Sequence, residues 1–227
     1  MSYTLTIVCL ANSRKMSGRC IAGKEWTAGR AGKWIRPVSG RENHEISESD
    51  RRYRDGSDPR LLDVIAIPFK QAAPSGHQLE NHLIEDGAYW KKTGVVLSTD
   101  LAKIADRPAT LWKNGFSSGS GTHDRVPIGD AVAEAGSLYL IPVDDLTLHV
   151  KAASADFSKR VVRAKFTYLA EHHDLRVTDP LVERDYFARP DGQYAIGPAF
   201  LCVSLGEPFG GHYYKLVAAV LTKVDHS

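Results

Sequence analysis

Between Ser13 and Arg36 the chain carries Arg14, Lys15, Arg19, Lys24, Arg30, Lys33 and Arg36 against one acid, Glu25. That segment has a charge of +6, while the remainder of the chain sums to −4. Trp26 and Trp34 stand among these cations. Cations meet phosphate oxygens and indole rings stack on bases, so the mixture suits single-stranded nucleic acid. A solvated charged hairpin with one tryptophan in the core is the bland alternative. Asn12, Ser13, Arg14 and Lys15 follow directly on a β-type run and precede Gly18. Polar side chains at a strand exit, with free backbone N–H groups, can hold an anion; a turn that caps the strand carries the same residues.

Two further positions ask for partners. Arg36 is two residues from Trp34 and so shares its face of a strand. With Trp34 in the core, Arg36 points inward and must be paired or line a pocket. Asn81, in the run Glu80-Asn81-His82, shares an alternating face with Leu79 and Leu83. An inward asparagine needs hydrogen-bond partners or a ligand. The candidate binding residues are therefore Asn12, Ser13, Arg14, Lys15, Arg19, Trp26, Lys33, Arg36 and Asn81.

Catalytic signatures are weak. The nine histidines form no H-x-x-x-H or H-E-x-x-H, and Cys9, Cys20 and Cys202 form no C-x-x-C pair, so no metal ligands are assigned. G-x-x-x-x-G-K-[ST] does not occur. Gly119 to Asp124 could cradle a phosphate but reads first as a flexible linker. No catalytic residue and no cofactor follow from the sequence, and the question of catalysis stays open.

The elements that must position these groups are short and β-type. Tyr3–Leu10, Arg19–Gly23, Trp34–Val38, Leu62–Phe69 and His77–Ile84 are strands by composition and by the Gly, Pro, Ser or Asn that close them. Ser137–Val143, Leu146–Ala152, Val161–Leu169, Asp174–Thr178, Phe200–Leu205 and Tyr213–Val220 repeat the style. Helices are few: Thr99–Ala105, Leu181–Phe187 behind an Asp179 N-cap and Pro180, and a turn over Gly129–Ala135. With no alternation of strands and 10–15-residue helices, a parallel α/β sheet is excluded. Many short strands imply small barrels or a sandwich.

The length of 227 residues accommodates one large domain or two small ones. Apolar residues at 43% and charged residues at 25% are ordinary for a folded protein, and the net charge of +2 excludes a wholesale basic coat. The loop-like run Asn114–Asp124 marks the boundary. It divides the chain into a first barrel over 1–113, a loop and connector over 114–136, and a second barrel over 137–227. A weak echo links Arg19–Gly23 and Lys33–Val38 with Leu201–Gly206 and Tyr214–Ala218, and duplication of one barrel unit would explain it. No apolar run reaches the roughly 18 residues of a membrane span. Three cysteines without a C-x-x-C pair, and no leader or anchor pattern, fit a cytoplasmic, reduced environment, and that is the expected location.

The runs Leu10-Ala11-Asn12-Ser13-Arg14-Lys15, Gly18-Arg19-Cys20-Ile21-Ala22-Gly23 and Trp34-Ile35-Arg36-Pro37-Val38 resemble the opening of the bacterial dual OB-containing domain family. Val203-Ser204-Leu205-Gly206-Glu207-Pro208 with Tyr214-Lys215-Leu216-Val217-Ala218 resembles that family's closing hairpin. The resemblance implies an all-β protein with minor helix, built as two OB-like barrels in tandem. It brings no catalytic residues with it. The expected function is binding of single-stranded DNA or RNA through the basic and aromatic surface of the first barrel. The alternative is a domain that recognises a small or nucleotide-like ligand, with or without catalysis, in a polar pocket near Asn12, Arg36 and Asn81. A protein-interaction module is a third reading.

Overall fold

Ile7 and Cys9 alternate along the first run and set one face of strand β1 (Tyr3–Lys15) into a core. The computed structural model describes residues 2–130, 136–153 and 159–222. β1 pairs antiparallel with β2 (Gly18–Thr27), and β2 with β3 (Arg30–Val38). The β2–β3 turn is Ala28-Gly29, both at positive φ (51° and 78°), the twist that two-residue hairpins favour. Ser47 caps a one-turn helix, α1 (Glu48–Arg51). β4 (Asp63–Ala72) then returns antiparallel to β1, and β5 (Asn81–Ile84) inserts between β4 and β3, parallel to β3.

The order β1-β2-β3-β5-β4 closes back on β1, which is a five-stranded Greek-key barrel of OB type. Ile21, Ile35, Ile65, Phe69 and Trp90 fill it together with Ile7 and Cys9. β6 (Lys91–Val95) pairs with β4 outside the closed ring. A 3-10 turn at Ser98–Asp100 leads into α2 (Leu101–Ile104), where the first compact unit, Met1–Ile104, ends.

The second unit, Ala105–Ser227, repeats the plan. Its strands are β7 (Arg125–Pro127), β8 (Leu138–Ala152), β9 (Arg160–Tyr168) and β10 (Glu171–Val177). After α3 (Pro180–Phe187) come β11 (Gly192–Phe209) and β12 (His212–Thr222). Here β8-β9-β10-β12-β11 closes back on β8, with β10 and β12 parallel. The sense of every pair matches the first barrel, so two OB barrels follow one another along the chain. Leu111 and Trp112 belong to the second core, and β7 pairs with β12, so the stretch from Ala105 onward folds with the second barrel.

Several sequence expectations shift in detail. The Asp179 cap stands, its carboxylate accepting from the N–H groups of Leu181 and Val182. Ser137–Val143 and Leu146–Ala152 are one strand, which passes through the exposed Asp144-Asp145. The strand expected over His77–Ile84 begins only at Asn81. Of the helix expected over Gly129–Ala135, residues 128–130 form a 3-10 turn and 131–135 lie outside the described residues. The sequence echo aligned β2–β3 with β11–β12. Topology instead makes β8–β9–β10 the counterpart of β1–β2–β3, so that echo does not track the repeat.

Candidate nucleic-acid interface

The core residue of β3 is Ile35, not Trp34. Alternation therefore turns Trp34 and Arg36 to the outside of the barrel. Trp34 is half-buried, and Lys24, its cross-strand neighbour on β2, places Nζ 5.4 Å from the indole centroid. Trp26, two residues beyond Lys24, is on the same outer face and also half-buried. Lys33 and Arg30 are exposed at the hairpin end beside them. Lys24 itself is buried and donates to the carbonyl of Ile104 at 2.7 Å. Further along the same face Arg36, 2% exposed, pairs with Glu80 at 3.1 Å. Asn81 is its register neighbour on β5, 1% exposed, and donates to Gln78 at 3.1 Å. The structure thus brings Arg36 and Asn81 side by side, as the sequence suggested, but on the outside of the barrel and inside a packed polar layer.

The other candidates gather at the opposite end of β2. A bulge between Cys9 and Ala11 resets β1, so Asn12 faces the core residue Ile21, and Arg14 stands opposite Arg19 on that same side. Arg19 and Trp26 are seven residues apart on one strand, roughly 23 Å. The cations between Ser13 and Arg36 thus form two groups, Arg14, Lys15 and Arg19 at one end and Arg30 and Lys33 at the other. Ser13 is buried and its hydroxyl donates to the carbonyl of Cys20 at 3.4 Å, a contact that braces the hairpin. Asn12 donates through Nδ2 to the carbonyl of Pro59 at 2.9 Å.

Pro59 is buried behind the stretch that walls a cleft of about 960 Å³ in the first barrel, which the sequence reading missed. One wall is the stretch from Tyr53 to Arg60, the other Gly87 to Lys92. A backbone bridge between Tyr53 and Trp90 joins the two walls. Trp90 is 1% exposed in the core, which turns its chain neighbour Tyr89 outward, 47% exposed. The Arg52 and Arg54 guanidinium carbons each lie 6.0 Å from the Tyr89 ring centroid. At the floor Asp63 accepts from the Tyr53 hydroxyl (2.9 Å), the Arg60 N–H (3.0 Å) and Lys92 Nζ (2.6 Å). Burial and the Asp63 carboxylate push the Tyr53 phenol well above its ordinary range, so it stays protonated as a donor. Burial likewise lifts the Cys9 thiol to about 12, leaving it inert. The signal for this cleft was present in the sequence as Arg51-Arg52-Tyr53-Arg54, cations beside an aromatic.

In the second barrel the segment 114–124 is built into the fold. Thr122 bridges to Asp174 of β10, and the Lys215 N–H of β12 donates to the carbonyl of Asp124. Inside lies a polar group. Lys215, 1% exposed, donates through Nζ to Asn114 Oδ1 at 2.8 Å, and burial pushes its ammonium down to about 7. His173 stacks on Phe166 at 5.3 Å, and burial followed by the Lys215 charge lowers it to about 3. On the opposite face of β9, Arg163 holds Asp174 at 2.5 Å and lies 3.5 Å from Asp124. Among the described residues no group of three or more His, Cys, Asp or Glu is arranged to hold a metal, and no helix is long and apolar enough to cross a membrane.

Two consecutive barrels with this strand order define a tandem OB protein. The dual OB-containing domain family matches residues 5–220, nearly the whole sequence, and the chain belongs to that family. No curated protein matches it. Among solved structures it is similar to the crystal structure of the tetrameric p202 HIN2, at 10% identity over 98% of this chain and 96% of that one. The TM-score is 0.31, too slight a likeness to carry an argument.

Proposed function

We propose that the chain binds nucleic acid, single-stranded DNA or RNA, through the first barrel. The observation that carries this reading is the pair Trp26 and Trp34, both incompletely buried on the outer face of β2–β3, with Lys24 over one ring and Lys33 exposed beside them. That face is the one OB barrels offer to oligonucleotides, and rings next to cations are what a strand of bases and phosphates requires. Of the cations at the far end of β2, Lys15, in register with Gly18, is on this outer face, whereas Arg14 and Arg19 are on the other face and outside the track. Three free cysteines fit a reducing compartment, and we place the activity in the cytoplasm. A pocket for a small ligand around Arg36 and Asn81 is less favoured, because Glu80 already occupies Arg36.

Fluorescence anisotropy with a short labelled oligonucleotide tests the reading. Affinity falls as salt rises, with a slope of roughly −2 to −3.5 for three to five phosphate contacts at about −0.7 each. Trp26→Ala weakens binding at every salt concentration, by roughly 1–3 kcal/mol for a lost base stack. Absence of binding to single-stranded DNA and RNA at low salt would refute the proposal.

A further inference from the structure

The cleft between the Tyr53–Arg60 and Gly87–Lys92 walls has a charge balance that the fold does not use. Its three carboxylates are all engaged internally. Asp55 accepts from the Ser57 N–H and hydroxyl, Asp58 pairs with Arg51 at 2.9 Å, and Asp63 is taken by Tyr53, Arg60 N–H and Lys92. Among the described residues, Arg52, Arg54, Arg60 and Lys91 form no ion pair. All four are exposed. The surplus at the rim is therefore cationic, and it surrounds a half-exposed tyrosine ring.

We infer that this cleft is a ligand site distinct from the β2–β3 face, and that it takes a phosphorylated aromatic heterocycle, the chemistry of a nucleotide. The heterocycle lies against Tyr89, and the phosphates meet Arg54, Arg60 and Lys91. The guanidinium groups at 6.0 Å from the ring are close enough to share a stacked ligand and loose enough to give way to it. A volume of about 960 Å³ is within the usual range of small-molecule sites. The walls are pre-set: the Tyr53–Trp90 bridge joins them, and Asp63 cross-links strand, wall and floor. Ordering cost on binding is correspondingly small.

The same chemistry occurs as a free nucleotide or as one unit of a strand, and two arms separate these sources. Calorimetry measures ADP binding to wild type, Tyr89→Ala, Arg54→Ala and Trp26→Ala. Anisotropy measures a 5′-phosphorylated oligonucleotide on the same set. For a free nucleotide, wild type binds ADP, Tyr89→Ala and Arg54→Ala weaken it about tenfold or more, Tyr89→Phe restores it, and Trp26→Ala leaves it unchanged. For a strand unit, ADP fails to bind but the same cleft variants weaken the oligonucleotide. The inference is overturned if wild type binds neither probe, or if Tyr89→Ala leaves both affinities unchanged. A loss confined to Trp26→Ala would uphold the β2–β3 face while removing the cleft, so the two readings fail separately.

Discussion

Asn12 Nδ2 donates to the carbonyl of Pro59 at 2.9 Å and so ties the end of β1 to the loop that walls the cleft. The bond exists because the bulge after Cys9 shifts the register of β1 and turns Asn12 to the side of Ile21. Without the bulge, strict alternation would send residue 12 to the other face. Asn12 acts by holding the wall. Asn12→Ala leaves the Pro59 carbonyl without this donor and costs about 1–2 kcal/mol, read as a shift in the urea midpoint. ADP affinity falls less than in Tyr89→Ala, since Asn12 touches the wall and Tyr89 the ligand.

Much of the barrel plan was legible because β-branched residues at strand positions report burial directly. Tyr3–Leu10, Leu62–Phe69 and Val161–Leu169 all lie largely within observed strands. β6 was illegible: Lys-Lys-Thr-Gly-Val has no apolar alternation, because the strand only adds to β4 and buries little. β7 hid beside a Ser- and Gly-rich run whose order comes from Lys215 and Asp174, residues distant in sequence. Among the candidate residues, Arg36 and Asn81 were read correctly as needing partners, but parity alone could not say which face was the core. Tyr89 gave no local signal. Its place in the cleft depends on Trp90 being buried and on a bridge to Tyr53, neither of which periodicity reveals.

Trp34 illustrates the parity problem and gives a second prediction. Read as a core residue, it should be intolerant of truncation. Ile35 occupies the core instead, so Trp34→Ala destabilises well below the roughly 3–5 kcal/mol of a buried aromatic deletion. Thermal melts beside Phe69→Ala, a fully buried reference, measure the difference. Trp34→Ala falling as far as Phe69→Ala would mean that the ring is structural.

The buried pair of Arg36 and Glu80, with side chains 3% and 5% exposed, is stabilised mutually and intolerant of half-removal. Arg36→Met leaves a carboxylate buried beside an apolar chain and costs about 3–5 kcal/mol. Adding Glu80→Gln removes that charge and recovers part of the loss. Urea denaturation of the two single variants and the double variant gives the coupling directly. Additive losses would show that the two side chains act independently.

The interior of the second barrel makes stability rise with pH on both the acid and the alkaline side. Lys215 titrates near 7 in the folded protein against an ordinary 10.5, and His173 near 3 against 6.5. In both cases the unfolded chain holds the proton over a window where the folded chain does not. Stability therefore rises with pH through each window. The His173 contribution grows from about 3 to 6.5 and the Lys215 contribution from about 7 to 10.5. The groups around this pair are Asp124 and Glu171, which favour the Lys215 charge, and His123 and His172, which disfavour protonation of His173. Lys215→Met should flatten the melting temperature above pH 7 and, by removing the charge that helps depress His173, also narrow the lower window, whereas His173→Phe should flatten it below pH 6.5. Circular dichroism melts across that range, with hydrogen exchange at β12 to locate the change, measure both. A Lys215→Met protein that still gains stability from pH 7 to 9.5 as steeply as wild type would move the origin of the effect away from this amine.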